Sequence, residues 1–173
     1  EKRARLADDE LKAFHRAPHA VYRIELDVPS PRLRPLYDQR GASDLYRWAL
    51  SYKDKGFGSE YFDNMRRAEL LLQELLTKYP QSTKISDAAY VLGDLYEGRA
   101  FRQFERAAAY YERCFQWDPN TPTDARLRAA QVHDRNLRDR TRAVELYREV
   151  VERDAVPTRR QEATRRLNEL GAR

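Results

Sequence analysis

A chain of 173 residues with 35% charged and 41% hydrophobic residues, but only 6 Gly and 8 Pro, has the composition of exposed amphipathic helices rather than of sheets, which need frequent turn residues. Its net charge of +5 comes from 33 basic and 28 acidic residues that are interleaved along the sequence, which argues against the dense basic stripe of a nucleic-acid groove. The 1 cysteine excludes an internal disulfide, and no apolar run approaches the roughly 20 residues of a membrane span.

The N-terminal part, residues 1–41, is predicted to contain a helix near 2–16 followed by an extended, proline-containing arm. Hydrophobic and charged residues alternate between 22 and 28, a period that suits an extended segment, and three prolines ending at Pro35 oppose a helix. We expect the arm to lie along the rest of the chain; the alternative is strand addition to another subunit. Since the chain starts at Glu1 rather than Met, we expect a removed signal, a lipid-anchored leader or another domain upstream.

The most informative feature of residues 42–157 is self-similarity, with copies at about 42–82, 84–120 and 123–157. In each copy a small residue on a first helix is followed three positions later by an aromatic ring, then by a small residue on a second helix and a closing proline. Small residues let the two helices of a pair lie close together, and a proline stops the second helix. The corresponding residues are Ala49, Gly93 and Ala130; Tyr52, Tyr96 and His133; Ala68, Ala107 and Ala143; and Pro80, Pro119 and Pro157.

The hydrophobic periodicity gives the coarse positions of the helices in this region. The last of them is too short for a further repeat, and we expect it to be the polar-faced cap that the end of a helical array needs for solubility. The predicted helices lie near 43–55, 60–79, 84–98, 103–117, 123–136, 139–153 and 158–170.

The three copies resemble the tetratricopeptide repeat, whose consensus places W, L-G, Y, A, F, A and P at fixed offsets. Their periods of 39 (Ala68 to Ala107) and 36 (Ala107 to Ala143) exceed the ideal of about 34 residues. The resemblance implies an all-α, α/α superhelical solenoid of about three helix pairs with a capping helix and an N-terminal arm. The segments LLQELLTKYPQS and ISDAAYVLGDLYE resemble the variant of BamD and of the Tol–Pal coordinator, and LGDLYEG is similar to Sel-like repeats. That variant implies a bacterial protein, either cytoplasmic or periplasmic.

No residue pattern indicates catalysis, a cofactor, a metal or a small-molecule substrate. His15 and His19 lie four apart, but Pro18 intervenes and no third ligand is near. His133 takes the place of a tyrosine in the other copies, so we expect it to pack between repeats. Cys114 occupies a small-residue slot, which predicts a buried apolar filler rather than a reactive thiol. We therefore predict that the chain is not an enzyme.

The resemblance implies that the first helix of each pair lines a concave groove. Because Asp87, Asp94 and Glu97 lie beside Tyr90, the middle of the groove is expected to be acidic with an aromatic anchor, which predicts a basic or apolar protein or peptide partner. The alternative is that these side chains are only the polar side of amphipathic helices. The predicted partner-binding residues are Tyr46, Leu50, Asp87, Tyr90, Asp94, Glu97, Leu127, Gln131 and Asp134.

Four functions follow from these observations. The first is a protein-interaction scaffold. The second, a narrower form of the first, is a BamD-like envelope assembly lipoprotein. The third is a nucleic-acid-associated helical repeat that uses a basic C-terminal section, and the fourth is self-association through the end repeats. Tyr90, Asp94 and Gln131 stand where related domains carry a clamp for acidic C-terminal tails, so we predict no binding of such tails. The arginines of the nucleic-acid alternative are Arg138, Arg140, Arg142, Arg159, Arg160, Arg165 and Arg166.

Overall fold

All regular structure in the described part of the protein is helical. The computed structural model describes residues 34–55 and 58–172, with side chains from residue 39 onward. Within these residues seven α-helices follow one another, and a π-helical turn at His133–Leu137 continues the fifth. They are α1 (Arg34–Asp54), α2 (Tyr61–Lys78), α3 (Ile85–Glu97), α4 (Phe104–Trp117), α5 (Ala125–Val132), α6 (Arg140–Arg153) and α7 (Pro157–Glu169).

From α2 onward each helix packs on the next one in the sequence, which is the nearest-neighbour arrangement of a solenoid. The helices form three pairs, α1 with α2, α3 with α4, and α5 with α6, and α7 follows as a single helix. The predicted all-α solenoid is thus confirmed, and the bounds predicted for α2, α3, α4, α6 and α7 were right to within one residue. Among the described residues, none of the helices combines the length and the hydrophobicity that a membrane crossing requires.

The structure corrects the predicted start of α1. The helix begins at Arg34, so the start predicted near residue 43 and the expectation that Pro35 opposes a helix are wrong. Pro35 is the second residue of α1, where its fixed φ suits the helix. In the first turn a backbone N–H makes no hydrogen bond within the helix, so the missing N–H of a proline costs nothing there. The predicted helix near 2–16 and the alternating segment at 22–28 lie outside the described residues. The same is true of His15 and His19.

The helix predicted at 123–136 is also different. The α-helical part ends at Val132, and the π turn closes where the Asp139 N–H donates to the His133 carbonyl oxygen at 2.9 Å. Arg138 follows the turn with a left-handed φ of 57°. A π turn holds more residues per turn than an α turn. It therefore absorbs part of the extra length of this copy, whose period exceeds the ideal one.

Small residues allow the helices of each pair to pack closely, as the sequence predicts. The clearest case is Gly93, where a Cβ atom would lie only 2.6 Å from Cδ1 of the buried Tyr111 ring. Glycine at this position is what permits the ring to lie against the α3 backbone. The other small residues predicted at these contacts are fully buried as well: Ala49, Ala68, Ala107, Ala130 and Ala143.

Polar contacts join successive pairs at one equivalent position. The Tyr96 hydroxyl, in α3, donates to Glu69 of α2 at 2.6 Å and accepts a hydrogen bond from Gln73 at 2.9 Å. In the next pair the equivalent residue is His133, whose Nε2 lies 3.0 Å from an oxygen of Glu112 in α4. The prediction that His133 packs between repeats is confirmed, since only 13% of its side chain is exposed.

The C-terminal helix α7 ends the array as a cap. It buries Ala163 and Leu167 against the preceding pair. Its outward positions are polar, among them Gln161, Thr164 and Asn168, and these side chains are exposed. The predicted polar-faced capping helix is therefore present, one residue earlier than expected.

Candidate partner-binding face

Polar side chains link the first helices of successive pairs, together with α7, into one surface. We call the surface formed by α1, α3, α5 and α7 the first-helix face. Between α1 and α3, the Lys53 ammonium lies 2.8 Å from a carboxylate oxygen of Asp94. Between α3 and α5, the Arg128 guanidinium lies 3.1 Å from Asp94 and 3.1 Å from Glu97. One arginine and one lysine thus hold three helices in register.

Further hydrogen bonds continue the same pattern along the face. The Tyr90 hydroxyl of α3 donates to Asp124, just before α5, at 2.6 Å. Between α5 and α7, the Gln131 amide donates to Glu162 at 2.9 Å. At the end of the face, Asp134 accepts hydrogen bonds from Arg166 at 2.5 and 3.1 Å. Every neighbouring pair of helices on the first-helix face is therefore cross-linked.

A buried tyrosine supports the middle of the face from below. Tyr111 of α4 donates its hydroxyl hydrogen to Glu97 at 2.8 Å and accepts one from Arg128 at 3.3 Å. Burial is the main reason why the pKa of the Tyr111 phenol is raised well above its usual range. The pKa of Tyr90 is raised for the same reason, with a further contribution from its bond to Asp124. Both phenols therefore stay neutral and act as fixed hydrogen-bonding groups.

The acidic character predicted for the middle of the face is largely compensated within the chain. Asp94 and Glu97 are bound by the cations already described, and Asp87 lies 2.8 Å from the Lys84 ammonium. Two carboxylates of the face, Asp124 and Glu162, instead accept from neutral donors, a phenol and an amide. The described pairs thus leave a small acidic excess rather than an open acidic patch.

The predicted apolar contacts fall at two different places. Tyr46 and Leu50 of α1 are partly buried and border a shallow cleft of about 520 Å³, and the Lys84 ammonium lies 5.3 Å from the centre of the Tyr46 ring. Leu127, by contrast, is only 4% exposed and belongs to the core. Its assignment as a partner-binding residue is therefore wrong, because the α5 backbone turns that side chain inward.

The other side chains considered for chemistry are packed or paired. Cys114 is fully buried, and its sulfur lies 3.3 Å from the Ser86 hydroxyl, which confirms the expected buried position. Within residues 34–55 and 58–172, no three His, Cys, Asp or Glu side chains are grouped so that they could hold a metal ion. Several C-terminal arginines are bound within the chain: Arg142 to Glu112, Arg166 to Asp134, and Arg159 and Arg160 to backbone carbonyl groups. These contacts occupy donors that phosphate binding would need.

Sequence reasoning identified most positions of the face but missed two of the cations that bridge it. Arg128 and Arg166 were not assigned to it, although Arg128 lies four residues after Asp124 and three before Gln131, on the same side of α5. That spacing was a usable signal for the position of Arg128. Its partners lie 31 and 34 residues earlier in the sequence, and no local pattern reveals them.

Paired helices that stack on their neighbours and present a common cross-linked face define an α-helical repeat protein. Two family models, both described as Tetratricopeptide repeat, match the chain at residues 86–121 and at residues 45–82 and 124–155. The matched stretches make up more than half of the chain and coincide with the three helix pairs, so the chain belongs to the tetratricopeptide repeat family. No curated protein matches the chain. Tetratricopeptide repeats generally mediate protein–protein interactions.

Proposed function

We propose that this protein is a non-catalytic scaffold that binds a segment of a partner protein on its first-helix face. The observation that carries this proposal is the set of cross-links between α1, α3, α5 and α7. They fix the spacing of the four helices before a partner arrives. A pre-ordered surface loses less conformational freedom on binding than a mobile one, which favours affinity.

The charge of the face favours a partner segment that is basic or apolar. Asp124 and Glu162 accept hydrogen bonds from the neutral groups of Tyr90 and Gln131. A lysine or arginine of the partner would give these carboxylates a cation without displacing one that the chain already supplies. Charge complementarity of this kind speeds association and sets specificity. Tyr46 and Leu50 supply partly exposed apolar surface at the α1 end.

The experiment compares two double variants as baits for affinity capture. Asp124→Asn with Glu162→Gln removes the charges of these two carboxylates and keeps an acceptor oxygen for Tyr90 and Gln131. Glu60→Gln with Glu152→Gln removes two exposed charges elsewhere and serves as the matched control. We expect the first variant to lose its main captured protein and the control to retain it. Equal capture by both variants would exclude these carboxylates from the binding site.

A role in bacterial envelope assembly is a narrower form of the same proposal. It is supported by the resemblance of residues 71–82 and 85–97 to the corresponding repeats of BamD and of the Tol–Pal coordinator. If the narrower proposal is right, the full-length protein fractionates with the cell envelope and captures an envelope protein. Recovery in the cytosolic fraction alone would reject it and would leave the general scaffold proposal intact.

A further inference from the structure

A second surface, which shares no residue with the cross-links of the first-helix face, carries a cleft of about 430 Å³. It lies between α4 and the π turn, and we call it the α4 cleft. Ala108, Ala109 and Leu137 form the apolar part of its lining, and the rest of the lining is charged or polar. The lining residues are Glu105, Ala108, Ala109, Glu112, Arg113, Gln116, His133 and Leu137.

The α4 cleft exists because this junction carries smaller side chains than the preceding junction. Counting from the small residues Ala68 and Ala107, the residues Ala108 and Ala109 of α4 correspond to Glu69 and Leu70 of α2. A smaller residue thus replaces a larger one at both positions.

The other wall of the cleft follows the same rule. Leu137 lies six residues before Ala143, as Phe101 does before Ala107, and His133 corresponds to Tyr96. At the preceding junction the Phe101 ring packs edge-on against the Tyr96 ring, with centroids 5.4 Å apart. Part of the space that the Phe101 and Tyr96 rings fill at one junction is therefore open at the next, beside the smaller side chains of Leu137 and His133.

The polar chemistry at the preceding junction shows what such a space accepts. There the Tyr96 hydroxyl donates to a carboxylate oxygen of Glu69 on the neighbouring second helix. In the α4 cleft the carboxylate is Glu112, which accepts from Arg142 at 2.6 and 3.5 Å and lies 3.0 Å from His133. A carboxylate has about four acceptor positions, so Glu112 has room for one more donor.

Glu112 is held in its ionised, acceptor form. Burial alone would raise the pKa of this carboxyl, but hydrogen bonds from Arg142 and His133 outweigh burial and lower the pKa below its usual range. A hydroxyl group that enters the cleft would therefore meet a charged acceptor next to an apolar floor. Tyrosine is the side chain that combines an apolar ring with such a donor, and it is enriched at protein interfaces.

We propose that the α4 cleft receives a tyrosine side chain of a partner protein, with the ring on Ala108, Ala109 and Leu137 and the hydroxyl donating to Glu112. This site is separate from the first-helix face, so the proposal goes beyond the function proposed above. The chain can then contact a partner protein at each of the two surfaces.

The test uses the whole chain and N-acetyltyrosine amide as the probe, with methyl-detected NMR as the readout. We expect the probe to shift the methyl signals of Ala108, Ala109 and Leu137. The phenylalanine analogue should bind about tenfold more weakly, because a hydrogen bond to a charged acceptor separates the two probes. Shifts that are absent, or equal for the two probes, would overturn the proposal.

Two variants of the cleft and one control variant refine the test. Ala109→Leu with Leu137→Phe fills the cleft with the side chains of the preceding junction, at positions exposed enough to tolerate them. It should abolish the shift of Ala108, whereas Gln161→Leu, which adds a leucine on α7, should leave binding unchanged. Glu112→Gln keeps the cleft open and should reduce the preference for tyrosine over phenylalanine. Binding that survives in the filled variant, or concentration-dependent shifts without the probe that indicate a second copy of this chain, would contradict the assignment.

Discussion

At the scale of single residues, the close packing of α3 against α4 depends on the glycine at position 93. Gly93 has room for a hydrogen atom but not for a methyl group, because the Tyr111 ring lies where a Cβ would stand. The ring in turn supports Arg128 and Glu97 of the first-helix face. A change at Gly93 therefore reaches the candidate site through one aromatic side chain.

We predict that Gly93→Ala destabilises the protein by about 1–3 kcal/mol, the usual cost of forcing an extra carbon into a packed core. Alanine also has a higher helix propensity than glycine, by up to about 1 kcal/mol, which offsets part of the steric cost. A net loss of stability is therefore expected only if the contact with the Tyr111 ring is as tight as described. Urea denaturation measures the effect, with Gln161→Ala on the exposed side of α7 as the control. An unchanged or higher midpoint for Gly93→Ala would show that the ring moves away freely.

Residue types at packing positions could be predicted from the sequence, whereas the partners of polar residues could not. Ala49, Gly93 and Cys114 were expected in the interior and are buried there. Asp94 was expected to be an open acidic group, yet it is bound by Lys53 and by Arg128. Those partners lie 41 residues before it and 34 after it, and only the stacking of the pairs brings them together.

At the scale of helices, the capping helix α7 is held to the array by an ion pair as well as by its two buried side chains. Asp134, with 6% of its side chain exposed, accepts from Arg166 and also from the Tyr147 hydroxyl. The adjacent Arg165 is 73% exposed, and its ion pair with Glu169, at 3.9 Å, lies within its own helix. Arg166 therefore joins α7 to the preceding pair, whereas this ion pair of Arg165 does not.

We predict that Arg166→Ala lowers the free energy of unfolding by about 1.5–3 kcal/mol, the range for hydrogen bonds to charged groups, and speeds amide exchange in α7. Arg165→Ala is the matched control and should change stability by less than about 0.5 kcal/mol. Hydrogen exchange and urea denaturation provide the two measurements. Equal effects of the two substitutions would mean that the ion pair with Asp134 does not hold α7.

The same pair predicts a dependence on pH. The hydrogen bond from Arg166 is the main reason why the pKa of Asp134 is lowered, against the opposing effect of burial. A carboxyl with a lowered pKa in the folded state contributes stability that is present at neutral pH and is lost as the pH falls below the usual range of aspartate. The stability of Arg166→Ala should therefore fall less steeply in acid than that of the wild-type protein.

Helix positions were predictable because hydrophobic periodicity is strong in this chain, and the two errors have local causes. Pro35 lies in the first turn of α1, where a proline is compatible with a helix, so it does not mark an arm. The π turn at His133–Leu137 continues α5 directly, and its sequence HDRNL contains no glycine or proline that would reveal the change in helix type.

At the scale of the whole molecule, the central claim is that the three tetratricopeptide repeats and their cap present one pre-ordered face to a protein partner. The cross-links along this face and the polar cap both fit a domain whose first helices form the contact surface. The α4 cleft adds a second candidate contact, between α4 and the π turn. The two surfaces can be distinguished experimentally because they share no residue.

Site-specific photo-crosslinking tests the central claim most directly. A photoreactive benzoylphenylalanine is placed at Tyr46 or Gln131 on the first-helix face, and at Leu70 of α2 or Glu152 of α6 elsewhere, both of which are exposed. We predict that the first two positions crosslink to the same partner protein and that the control positions do not. Crosslinks to that partner from Leu70 or Glu152, with none from Tyr46 and Gln131, would contradict the account.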